Sequence, residues 1–236
     1  MSSSTASFDL RVRVVPALVL VAVLFCVCPL ELRLADSSSV PGNGVFSALG
    51  GMRTVVASGF WLRTNLAWER RDQAETMAYL KLTVAADGAP QYFWVNGARM
   101  MAYDLPEWRL EPNAPAAVRN KVAAEQAQEA LSFLEDGLRF HPSDAVLLIE
   151  MANIRLRVLG DREGAAQLFR QVAEQKDAPY YAARIHGELL VQLGRPAEAL
   201  AWLKQVLPTL PVADPAARRR VVEQRIKALE ARVRAP

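Results

Sequence analysis

Two segments of the chain repeat each other at a fixed spacing. "LGDREGAAQLFRQV", Leu159 to Val172, returns 34 residues later as "LGRPAEALAWLKQV", Leu193 to Val206. Each has Leu-Gly, an alanine five residues after the glycine, a bulky residue further on, and Gln-Val at the close. A period of this length confines the fold more tightly than composition does. Each unit is too small to bury its own apolar face, so units must stack on one another. The pattern within a unit is helix, glycine turn, helix.

The register can be followed along the chain. In the last unit Gly187, Gly194, Ala199, Leu203 and Pro211 occupy the small, turn, small, large and closing positions. In the unit before it Gly160, Ala165 and Phe169 fit, with Asn153 in place of a small residue and Pro179 two residues late. Upstream, "AQEALSFLEDGLRFHP" supplies Ala130, Leu134, Gly137 and Pro142, and its first helix is "PQYFWVNGARMMAYDL" with Phe93 and Gly97. Between these lies "PEWRLEPNAPA", a proline-broken insertion at about 105–117, followed by a long helix over about Ala116 to Phe140. The first unit is "RTVVASGFWLRTNLAWERR", with Phe60 and Thr64 at the contact positions, followed by a second helix around Leu80.

Over about residues 50–211 the sequence resembles the tetratricopeptide repeat (TPR) family. Its aromatic texture near the N-terminal side also resembles single-pass, membrane-anchored bacterial repeat proteins. The resemblance implies an all-α fold: a TPR-like right-handed superhelix of about four helical hairpins over 47–211, closed by a capping helix. It also implies a concave wall made by the first helix of each unit. Transferred by register, that wall carries Trp61, Asn65 and Trp68, then Trp94 and Met101, then Glu150 and Arg157, then Arg184, Glu188 and Gln192. Tryptophan and arginine are the usual energetic anchors of interfaces. The tryptophans have a second reading, as core or membrane-contact residues.

Residues 1–35 read as a cytoplasmic N-terminus and a membrane anchor. "VVPALVLVAVLFCVCPL", Val14 to Leu30, holds 17 residues without a charge. At helical rise this covers roughly 26 Å, the short end for a span. A cleaved signal peptide would look similar, but its cleavage site wants small residues, and Arg33 stands at the −3 position of the best candidate. Arg11 and Arg13 precede the run, which places the N-terminus in the cytoplasm and the bulk in the periplasm of a bacterial inner membrane. "DSSSVPGNG" then reads as a tether within residues 36–46.

"GGMRTVVASGFWLRTNLAWERRD", Gly50 to Asp72, is oily enough to raise the question of a second span. Arg53 would then sit well inside the bilayer at a cost of about 2.5–3.5 kcal/mol. The segment is therefore expected to be a folded helix.

The net charge of +3 is uneven. Residues 212–236 read as a basic capping helix, with Asp214 capping its start, Pro215 in first position, and Val221, Val222, Ile226, Leu229 and Val233 as its apolar stripe. Arg218, Arg219 and Arg220 suit anionic lipid or an acidic partner. Aromatic residues for stacking bases are missing from this end, so nucleic acid is not expected as a partner.

Both cysteines, Cys26 and Cys28, lie in the apolar run, which excludes a disulfide framework and a cysteine zinc site elsewhere. His141 and His186 are too few for a metal cluster. No phosphate loop or nucleophile elbow is present, and no catalytic residue, cofactor or metal is expected. The composite expectation is a membrane-anchored scaffold for a protein or peptide partner in the cell envelope. Its alternative is a structural subunit docked sideways in a larger integral-membrane assembly, such as transport, secretion or pilus-type machinery.

Overall fold

The computed structural model describes residues 51–234. The apolar run Val14–Leu30 and the tether within residues 36–46 lie outside the described residues. Those described are all-α, without a strand. The chain divides into two compact units, Met1–Asp87 and Gly88–Pro236.

In the first unit α1 (Arg53–Glu69) and α2 (Gln73–Ala86) form a hairpin. The turn between them closes with Arg71 in the left-handed region at φ 56° and with Asp72 capping α2 through Glu75 N–H at 2.9 Å. At the open end Arg53 Nε donates to the Ala86 carbonyl at 3.1 Å, and Thr54 donates to Asp87 at 2.6 Å. The arginine that argues against a membrane span thus terminates the neighbouring helix. No helix among the described residues is long and apolar enough to cross a membrane. Ala57, Phe60, Thr64 and Ala67 form the buried face of α1, and Leu80 is fully buried on α2.

The second unit begins with α3 (Gln91–Arg99), which runs on through a π turn (Met100–Asp104) into α4 (Leu105–Trp108). Sequence reading places a loop over Pro106–Ala116; the helix instead continues past Pro106, and the loop is confined to residues 109–115. The physical reason is the wide turn. Pro106 has no N–H to give to the carbonyl four residues back, and its ring crowds that carbonyl. The Leu105 N–H reaches Met100 O, five residues back, and the chain passes the proline in π register.

Five further helices follow: α5 (Ala116–Leu138), α6 (Ala145–Arg157), α7 (Arg162–Ala173), α8 (Tyr180–Gln192) and α9 (Pro196–Val206). Each packs on its sequence neighbour, and α3 touches both α5 and α6. The turn glycines Gly160 and Gly194 have φ of 65° and 76°, where a side chain would be strained. Asp144 and Asp161 cap α6 and α7.

Between the helices, absent side chains meet large ones. A Cβ on Gly187 would lie 3.0 Å from Leu203 Cδ2. One on Gly137 would lie 2.9 Å from both Leu147 and the Trp94 ring. Ala130, Ala165 and Ala199 are fully buried beside Leu134, Phe169 and Leu203.

The basic C-terminal segment departs from its expected form. Asp214 caps a short 3₁₀ turn, Pro215–Ala217, by accepting from Ala216 N–H at 2.8 Å. Arg218, left-handed at φ 46°, ends that turn, and α10 (Arg219–Arg234) starts only there. The kink is pinned from outside. Arg184 donates to the Ala217 carbonyl at 3.2 Å, and Arg219 donates to the Leu207 and Leu210 carbonyls at 2.8 and 3.0 Å. Val222, Ile226 and Leu229 then complete a core with Leu190, Leu203 and Leu210, while Val221 and Val233 stay outside it.

Gly137→Ala should lower stability by about 1–3 kcal/mol, because Trp94 and Leu147 cannot both withdraw. Gly59→Ala, in α1 with open space at its Cβ, should raise it by about 0.5–1 kcal/mol. Urea unfolding of the two variants measures both signs.

Candidate binding surface

The concave wall expected to bind a partner draws on the first helices, α1 in the first unit and α3, α6 and α8 in the second. The structure sorts the expected residues into three groups. Trp94, Met101 and Glu150 are buried, at 1%, 3% and 3% exposure. Arg184 and Glu188 are half-buried and taken up by the C-terminal segment. Trp61, Asn65, Trp68, Arg157 and Gln192 are half or fully exposed.

Trp94 is corrected from wall to core. Its ring sits 4.7 Å from Phe133 and 5.7 Å from Phe140, centroid to centroid, and its Nε1 donates to the Gly88 carbonyl at 2.8 Å. The bare Gly137 makes room for it. Asn65 gives its amide to the Trp61 carbonyl at 2.7 Å, within its own helix. Trp61 and Trp68 both belong to the first unit.

A polar cluster joins α3, the π turn and α6. Arg99 donates to Glu150 Oε2 through Nε at 3.0 Å and Nη2 at 2.7 Å. The Glu150 side chain is 4% exposed and that of Arg99 52%, so one end of the pair is dry and the other wet. The hydrogen bond to Glu150 raises the Arg99 pKa further above its ordinary value. Burial raises the Tyr103 phenol, and the Glu150 charge adds to it; the Arg157 charge opposes. The cluster Arg99–Tyr103–Glu150–Arg157 therefore shares one field. Reading the helix at 3.6 residues per turn put Met101 on the wall. Met101 lies seven residues after Trp94, on the same face of the helix, and is buried with it, while Tyr103 stands in the field of Glu150. Arg99 and Tyr103 were missed because the register placed this buried face on the wall.

On α8, Arg225 of α10 pairs with Glu188, and Arg184 holds the 3₁₀ turn. Burial lowers the Arg184 pKa, and the Arg218 charge lowers it further. These residues line an open groove of about 520 Å³ between α8 and α10, with Leu203, Val221 and Ala228 on its floor. Of the basic trio, Arg219 is committed to Glu223 and to the two carbonyls.

The two histidines of the sequence differ. His141 stands at the turn between α5 and α6. His186 is buried; its Nδ1–H donates to the Ala166 carbonyl at 2.8 Å, and its ring meets Trp202 edge-on at 4.7 Å. Among the described residues no group of three or more His, Cys, Asp or Glu side chains is placed to hold a metal ion. Comparison with protein-family models and with curated proteins finds no match.

Two outcomes follow from this chemistry. Arg99→Met strands a dry carboxylate and should cost about 3 kcal/mol, whereas Glu150→Gln leaves Arg99 free to turn to water and should cost less. Differential scanning fluorimetry of the two variants tests the order. Burial, the largest influence, lowers the His186 pKa below 6.5, so the folded state binds its proton less readily than the unfolded chain. Stability is then complete above that value and falls as pH drops through it toward the folded pKa. Urea midpoints from about pH 7.5 to about pH 5.5 should fall in the parent chain and change less in His186→Gln.

Proposed function

We propose that this chain is a membrane-anchored tetratricopeptide-type scaffold that holds a protein or peptide partner in a bacterial envelope complex. In this reading Val14–Leu30 is the single span, the N-terminus is cytoplasmic and the helical array is periplasmic. The observation that carries the reading is the interlocking of small and large residues at the repeat register: Gly137 against Trp94 and Leu147, Gly187 against Leu203. Contact of α3 with both α5 and α6 supports it, since hairpins stacked into a superhelix touch first helix to first helix.

The polar side chains also fit a scaffold. Glu150, His186, Arg184 and Arg219 are engaged in joining helices. Arg157 and Gln192 are exposed near the ends of first helices and are the second unit's remaining wall residues. The alternative reading, a fixed subunit of an integral-membrane assembly, predicts a constant stoichiometry in detergent-extracted complexes rather than a dissociable partner.

Arg157→Gln combined with Gln192→Ala should reduce partner recovery about tenfold, equivalent to about 1.4 kcal/mol of binding, with little change in the unfolding midpoint. Crosslinking and pull-down of the tagged full chain from its own membranes measures this. Unchanged recovery would remove the wall from the account.

A further inference from the structure

Helix α1 is apolar on two opposite sides. One side buries Ala57, Phe60, Thr64 and Ala67. At about 100° per residue, Met52, Val55, Gly59, Leu62 and Leu66 fall within an arc of about 80° on the far side. The four side chains among them are exposed, at 46%, 61%, 62% and 41%. Single exposed aliphatic residues are ordinary, but a stripe along a whole helix face is not. A second apolar stripe that the fold leaves in water is the kind of surface that a membrane or a partner covers.

Lipid fits that surface best. Only residues 31–52 separate Leu30, the end of the apolar run, from Arg53. That length reaches at most about 75 Å, so α1 lies within that distance of any bilayer holding the run. The stripe offers nothing for specific hydrogen bonding. Next to it, Ser58 gives its hydroxyl to the Thr54 carbonyl at 2.7 Å, and the Asn65 amide is spent on Trp61. A specific protein interface carries hydrogen bonds around its apolar centre. Arg63 borders the stripe on one side and Glu69 on the other, both exposed, and Arg70 at the C-terminal end of the helix pairs with Glu75. A long basic chain beside an apolar stripe lets an in-plane interfacial helix reach headgroups while its aliphatic face sinks.

We propose that the outer face of α1 lies flat on the membrane surface, with Val55, Leu62 and Leu66 at the headgroup–acyl boundary. This rests on the reading of Val14–Leu30 as the anchor, and the two fail differently. The test places p-benzoylphenylalanine at Val55, Leu62 or Leu66, or at the exposed Lys81 of α2, in the full-length chain in its native membranes. The membranes are irradiated and also extracted with alkaline carbonate. Expected are a chain that resists extraction and phospholipid adducts from the three α1 positions, several-fold above the yield at Lys81. A resistant chain that gives polypeptide adducts, or none above Lys81, overturns the α1 proposal and leaves the anchor. Release by carbonate overturns both.

Discussion

Close approach of helix backbones, made possible where side chains are missing, is the constraint on which the second unit depends. At Gly137 the absent Cβ is replaced by two neighbours at once, the Leu147 methyl and the Trp94 ring. The same indole reaches back to the Gly88 carbonyl, and Gly88 in turn faces Phe140, whose ring would lie 2.6 Å from a Cβ there. One tryptophan thus joins the start of α3 to the end of α5 and to α6. Interiors at crystal-like density have no slack to absorb another methyl at such a point. The Gly187–Leu203 contact does the same work between α8 and α9 on a smaller scale.

Packing of this kind leaves helix ends close together, and the ends carry unpaired carbonyls. Arginine answers that need repeatedly. Arg53 takes the Ala86 carbonyl, Arg184 that of Ala217, and Arg219 those of Leu207 and Leu210. A guanidinium suits the role because it stays charged when half-buried and offers several donors in a fixed fork. It also complements the negative end of the helix dipole. Part of the basic character of the C-terminal segment is therefore architectural. Arg219 serves two carbonyls and Glu223, and Arg225 serves Glu188. Arg218 lies near enough to Arg184 to lower its pKa, and the Ala217 carbonyl that Arg184 donates to offsets part of the repulsion.

Legibility in the sequence followed the range of the physics. Gly160 and Gly194 were readable because a left-handed turn is a local demand that few residues meet. Ala165, Ala199, Phe169 and Leu203 were readable because their spacing repeats. Two features were not, and each is a contest between local and distant forces. Asp214 and Pro215 are a sound helix start, and they do start a turn; it ends at the left-handed Arg218, where Arg184 from α8 takes the Ala217 carbonyl. Pro106 is a sound helix breaker, yet the helix survives it in π register because Leu105 and Met101 are held in the core. The candidate wall suffered as well: Trp94, Met101 and Glu150 all lie on faces that pack against neighbouring helices. Trp94 and Trp68 are alike in composition terms. Only the carbonyl at Gly88 and the space at Gly137 mark the first as core.

Helix α1 shows why an oily segment cannot be assigned by hydropathy alone. Its apolar residues number enough for a lipid-facing helix, and they are divided between opposite faces. Arg53 and Thr54 are tied to the end of α2, which fixes the hairpin as a folded element and denies α1 the freedom to insert along its axis. With that tie in place the outer face cannot be hidden by α2, which already covers Phe60 and Ala67. Among the described residues, Val55, Leu62 and Leu66 therefore stay exposed on the side of α1 that α2 does not reach.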